Sequence, residues 1–228
     1  VEKVFPFSFE AGPSLADWAN LLGNVREPDF QVCVNFAEGQ QVNLMLSMSH
    51  IPSRIGTSGF VCTEQVQAGD GFAAQRLSTY LSPLGCSLDA DAFRLALPNQ
   101  ELEEARSSQP PGDGPMLILA PSSEDQDWPP ERWLALPKSI STRLATLRSS
   151  TLDPGLPMRR RAAAVACADV ILSSCAMTQR LAVYCGIPLV ALGATPTDFP
   201  PRGDIRCLGV RSDLASLTEQ EVLDALGF

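Results

Sequence analysis

The residues best placed to do chemistry are Ser173-Ser174-Cys175-Ala176-Met177-Thr178, and their setting is what recommends them. They follow the apolar run Val170-Ile171-Leu172 and lead into Ala176–Cys185, a helix-like stretch ended by Gly186 and kept from continuing by Pro188. A strand that runs into a helix start presents backbone N–H groups without intrahelical partners, at the positive end of the helix dipole. In a parallel sheet such a turn lies where ligands bind, outside the carboxyl ends of the strands. The segment is therefore a candidate phosphate or sugar-diphosphate site, against the plainer alternative of a βα turn that binds nothing. Arg180, one turn into the helix, has a fork suited to phosphate oxygens and reads equally well as a surface charge. Cys175 would be a reactive thiol only beside a basic partner, and the sequence places none near it.

Other chemistries are thinly provided for. His50 is the sole histidine, which argues against a His-based metal centre or a Ser-His-Asp triad, and neither metal nor cofactor is expected. The 7 cysteines are odd in number, show no CxxC spacing and sit among apolar residues, as in Val32-Cys33-Val34. Reduced core thiols in a reducing compartment are the reading. Glu38, Glu64 and Asp70 are loop carboxylates within reach of a general-base role, although solvated surface positions suit each better. A net charge of −9 disfavours nucleic acid, whose phosphates need a basic surface. The one basic run, Arg159-Arg160-Arg161, reads as a solvated helix start rather than a phosphate clamp. No apolar run reaches the roughly 18 residues of a membrane span, and no signal-peptide pattern opens the chain.

Elements must hold that turn in place. With 45% hydrophobic and 19% charged residues the chain can bury a core. Met116–Ala120, Val170–Ser173 and Leu189–Leu192 are apolar runs suited to strands covered on both faces, and are expected to be neighbouring parallel strands of one sheet. Between and after them lie helix patterns: Pro129–Leu136, Arg159–Ala168, Ala176–Cys185 and Thr218–Leu226. Strand, helix and strand at this tempo imply βαβ units. No convincing strand is visible between Lys138 and Pro157, where a doubly wound domain should have one. In the first half, Val4–Phe7, Phe30–Phe36 and Arg54–Gly56 read as strands, Ser14 with Asp17 as a capping box, and Gly71–Leu84 as a helix stopped by Gly85. Ser107–Gly114, rich in Ser, Pro and Gly, reads as a linker between lobes at 1–106 and 115–228.

The segment Ala168–Gly193 resembles glycosyltransferase family 9, the ADP-heptose:lipopolysaccharide heptosyltransferases and their cyanobacterial and plastid relatives. Ala168-Asp169, Leu181-Ala182, Gly186 and Pro188 through Gly193 match in register. Ala120-Pro121-Ser122-Ser123 resembles the family's Pro-Gly-Ser loop, Trp128-Pro129 with Trp133 its Trp-Pro helix start, and Arg54-Ile55-Gly56 its Arg-Ile-Gly. The resemblance implies an α/β, GT-B-like fold of two Rossmann-like lobes with parallel sheets. Its donor-site positions fall on Ser122, Ser123, Ser174, Cys175, Ala176, Met177 and Arg180. The chain departs from the motif there: Cys175-Ala176-Met177 stands where the family has Asp-Thr-Gly, Arg180 where it has His, and Gln126 or Asp127 where it has Lys. The family's opening Gly-Asp loop, which carries the catalytic base, has no counterpart after Val1, so the first lobe reads as incomplete and no catalytic residue is assigned.

Two functions are compatible with this. One is a heptosyltransferase-type enzyme moving a sugar from a nucleotide-sugar donor to a lipid or glycan acceptor, with peripheral membrane association open to it. The other is an inert relative serving as scaffold or subunit of a larger, photosynthetic or plastid assembly. Met177 at a Gly position favours the second, with no measurable binding of ADP- or UDP-sugars. Either further segments or a protein partner would then cover Val4, Phe5, Phe30, Val32 and Val34. The resemblance places the protein in the cytoplasm, or in the plastid stroma of a photosynthetic eukaryote.

Overall fold

The structure, a computed structural model, describes residues 3–8, 11–37, 39–67, 69, 71–89, 92–123 and 127–228. The chain divides into two compact units, Val1–Ala90 and Asp91–Phe228.

The first unit opens with α1 (Leu15–Arg26), whose N-terminus carries the capping box: Ser14 Oγ accepts from the Asp17 N–H, and the Asp17 carboxylate accepts from Ser14. There follow β1 (Val32–Asn35), α2 (Gln40–Met48), β2 (Ser53–Gly56) and β3 (Glu64–Gln65), then two short helices, α3 (Ala73–Arg76) and α4 (Ser78–Leu81). The expected single helix over Gly71–Leu84 is thus broken into short pieces, ending in a 3-10 turn at Ser82–Leu84 with Gly85 left-handed. The strands form a parallel sheet of order β1-β2-β3, with Val34 opposite Ile55. Its core is small: Val42, Leu46 and Val61 cluster together with Cys33 and Met45. The expected strand at Val4–Phe7 does not form; no described strand pairs with it.

The second unit begins with α5 (Asn99–Ser107) and continues β4 (Met116–Ala120), α6 (Pro130–Ser141), β5 (Arg148–Thr151), α7 (Met158–Ala166), β6 (Val170–Ser173), α8 (Ala176–Cys185), β7 (Leu189–Leu192), β8 (Ile205–Leu208) and α9 (Glu219–Leu226). Five parallel strands lie in the order β5-β4-β6-β7-β8, so the three apolar runs are adjacent and parallel as expected. The two-residue period of a strand sorts β4 between two cores. Met116, Ile118 and Ala120 join Val165, Ile171, Leu181 and Leu189 beneath α7 and α8. Leu117 and Leu119 join Trp133, Leu136, Ile140 and Val222 beneath α6 and α9. Each fully buried side chain of this size contributes roughly 1.5–3 kcal/mol of transfer free energy.

Two expectations are corrected here. The strand missing from the sequence reading is β5, Arg-Ser-Ser-Thr, half-buried at the sheet edge. An edge strand with one partner does not need the apolar content of a central one. The compact units also divide at Ala90/Asp91, ahead of the Ser107–Gly114 segment, because that segment is tied into the second unit. α5 packs on α7, Gln109 Nε2 donates to Cys167 O at 3.0 Å, and Arg148 Nε donates to Gly114 O at 2.7 Å. Gly114 runs so close to Thr146 that a Cβ there would sit 1.8 Å from its carbonyl oxygen. No helix among the described residues is long and apolar enough to cross a membrane.

Candidate functional site

Because the five strands of the second unit run parallel, their carboxyl ends share one edge of the sheet. The loops leaving that edge carry Ser122, Ser123 and Asp127 after β4, Asp153 after β5, Ser174 and Cys175 after β6, Thr195 and Asp198 after β7, and Arg211 after β8. Buried polar groups lock these loops together. Ser173 Oγ donates to Ala120 O at 2.9 Å and accepts from the Cys175 N–H at 3.0 Å. Ser174 Oγ accepts from the Ser122 N–H at 2.8 Å, and Asp127 accepts from the same N–H and from that of Trp128. Arg211 Nη2 donates to Ser174 O at 2.9 Å. Gln179, buried in the first turns of α8, donates through Nε2 to Ser173 O at 2.8 Å and Leu192 O at 3.1 Å. The start of α8 is thereby held against the ends of β6 and β7.

On this platform the first turn of α8 is left open. Among the described residues no side chain caps α8 behind Cys175, as is also true of α2 to α7, while α1 and α9 start with complete capping boxes. Ala176 and Met177 are exposed, Met177 keeping 46% of its surface in solvent, and Cys175 is half-buried. Arg180 is exposed and lies near Asp198. The Asp198 carboxyl is held below its ordinary range by the Thr195 N–H, then by the Thr195 hydroxyl, with Arg180 a smaller influence. Thr178, fully buried, accepts from Arg161 Nη1 at 3.1 Å. An uncapped helix N-terminus flanked by hydroxyls and guanidinium groups is suited to an anion.

Of the residues singled out in the sequence, Ser122 and Ser174 meet in one hydrogen bond, while Cys175, Ala176, Met177 and Arg180 follow on α8 and Ser123 is exposed beside Ser122. Glu64 lies exposed on β3 rather than in a loop. Glu38, Asp70 and Gln126 lie outside the described residues. Among the described residues no group of three or more His, Cys, Asp or Glu is arranged to hold a metal. Burial pushes the Cys185 thiol up to about 11 and raises Cys33, Cys167 and Cys207 as well, the behaviour of core thiols. Sequence reasoning missed Gln179, Arg211 and the Thr195–Asp198 capping box. Only the last had a signal, a Thr followed three residues on by Asp.

No family model and no curated protein sequence matches the chain. Among solved structures, a glycosyl transferase family 9 protein from Veillonella parvula is similar with a TM-score of 0.67 and 14% identity, over 94% of this chain and 79% of that one. ADP-heptose lps heptosyltransferase II of E. coli is similar with a TM-score of 0.67 and 16% identity, over 93% and 80% of the two chains. The fold is heptosyltransferase-like. E. coli heptosyltransferase WaaC, solved with ADP-2-deoxy-2-fluoro heptose, also shares it, with a TM-score of 0.63 and 12% identity over 96% and 79%. At these identities the likeness is one of fold.

Proposed function

We propose that the chain is a glycosyltransferase of the heptosyltransferase type and binds a nucleotide-sugar donor with its diphosphate over the first turn of α8. The observation that carries this reading is the uncapped start of α8 on a hydrogen-bonded floor of Ser122, Ser173 and Ser174. Sugar transfer breaks the bond between the anomeric carbon and the diphosphate as an acceptor hydroxyl attacks, and negative charge grows on the leaving diphosphate. Free N–H groups and the Arg180 guanidinium stabilise that charge more in the transition state than in the ground state. The neighbour WaaC was solved with ADP as well as with an ADP-sugar, which makes ADP the natural first probe. Met177 does not block this reading, because an unbranched, half-exposed side chain can swing aside. Calorimetry should show saturable micromolar binding of ADP that weakens about tenfold in Arg180→Ala, the scale of a charge-assisted hydrogen bond. Absence of any binding at millimolar ADP would sink the proposal.

A second reading, an inert fold acting as a subunit, draws on two observations. Cys175-Ala176-Met177 offers neither carboxylate nor hydroxyl, and Phe30 and Val32 are exposed at β1, an edge of the first sheet. Val4 and Phe5 are exposed too, and Val34 is half-buried. This reading requires no ADP binding together with stable association in sedimentation, and saturable donor binding excludes it.

A further inference from the structure

Arg161 is a buried cation with no anion paired to it among the described residues. It keeps only 4% of its surface. Its guanidinium donates to Asp153 O at 3.0 Å, Pro154 O at 2.7 Å and Thr178 Oγ1 at 3.1 Å, while Nε has no hydrogen-bond partner among the described residues. Burying a charge without a counter-charge is costly, and neutral oxygens offset only part of that cost. If the side chain served only to clamp the β5–α7 loop, a neutral amide would do the same without that cost. The place of the charge supplies the missing reason. Thr178 belongs to the first turn of α8, so the guanidinium stands behind the open N-terminus described above. Its field adds to that of the helix dipole, and burial keeps solvent from screening it.

We propose that Arg161 is a positioning residue of the donor site: it fixes Thr178 and supplies a buried positive potential behind α8 toward which the donor's diphosphate is drawn. The inference rests on the nucleotide-sugar reading. Arg161 does not reach the surface and is not expected to touch the ligand; it acts through Thr178 and through its charge.

ADP and inorganic pyrophosphate would be titrated calorimetrically into the full chain and into Arg161→Gln and Arg161→Lys, each over a range of salt. The expected result is ADP affinity about tenfold lower in Arg161→Gln, the scale of a partly buried charge at a helix end, with a shallower salt dependence and rescue by Arg161→Lys. Unchanged affinity in Arg161→Gln, or equal loss in both variants, overturns the inference while leaving the donor reading intact. If the unsubstituted chain binds pyrophosphate but not ADP, the nucleotide reading fails and the anion site stands. If it binds neither, both fall. Should Arg161→Gln fail to fold, Thr178→Val takes its place: a several-fold loss of ADP affinity at unchanged melting temperature supports the coupling, and unchanged affinity overturns it.

Discussion

Gln179 carries more of the site's geometry than any residue that faces the solvent. Its amide nitrogen spans the carbonyls of Ser173 and Leu192, which end β6 and β7. Replacing it with Leu roughly keeps the volume but takes a donor away from both oxygens in a dry environment. Gln179→Leu is expected to lower stability by roughly 1–3 kcal/mol, the cost of a buried unsatisfied group. A urea melt checks this, and a change under half a kcal/mol would mean that water or a relaxed backbone satisfies those carbonyls. Nothing in the sequence distinguishes this Gln from an exposed one, since polarity alone argues for the surface. Arg161 was hidden for the opposite reason, inside a run of three arginines that looks solvated as a block. Successive helical residues turn by about 100°, so three in a row sweep more than half of the helix circumference. They therefore cannot share one face; Arg159 and Arg160 are exposed, and Arg161 is the one that turns in.

At the scale of elements, strands that are buried on both faces announced themselves and the edge strand did not. β4, β6 and β7 lie between two helical layers, which demands unbroken apolar runs, and Met116–Ala120, Val170–Ser173 and Leu189–Leu192 supply them. β5 has one strand neighbour and a half-exposed surface, so Arg148-Ser149-Ser150-Thr151 suffices and leaves no hydrophobic trace. What holds it is the ladder. Arg148 N donates to Pro115 O at 2.9 Å and Leu152 N to Leu119 O at 2.8 Å, so Ser150, midway between, directs its N–H the same way and Ser149 directs its own outward. Proline substitutions should separate the two positions. Ser150→Pro removes an inward donor and should cost roughly 1–3 kcal/mol, whereas Ser149→Pro, on the open side of an edge strand, should be tolerated far better. Equal destabilisation in parallel melts would show that β5 pairs in another register. Helix starts were more legible where the cap is local: Ser14 with Asp17 forms the expected box, and Thr218 with Glu221, each a cap type at three-residue spacing, forms another.

For the molecule as a whole, the two units differ in how much core they own. The second has a sheet sandwiched between two hydrophobic clusters, containing nearly all of the largest fully buried side chains, from Met116 to Leu214. The first has a three-stranded sheet over one small cluster, with Phe30, Val32, Phe36, Leu44 and Phe60 exposed. A domain of fewer than 100 residues buries a smaller fraction of its surface than a larger one, and so has less apolar burial to set against chain entropy. The asymmetry predicts independent behaviour of one half only. A fragment of residues 91–228 should melt cooperatively on its own and, if the donor site is as proposed, retain ADP binding, since the residues assigned to that site lie within it. A fragment of residues 1–90 should show weak, broad unfolding and bind hydrophobic dyes such as ANS. Circular dichroism melts of the two fragments beside the full chain decide the matter. A sharp transition for residues 1–90 alone would mean that its few buried residues suffice for a stable domain. A second fragment that stays unfolded would mean that the five-stranded sheet depends on the first unit, and that its two clusters are not a self-sufficient core.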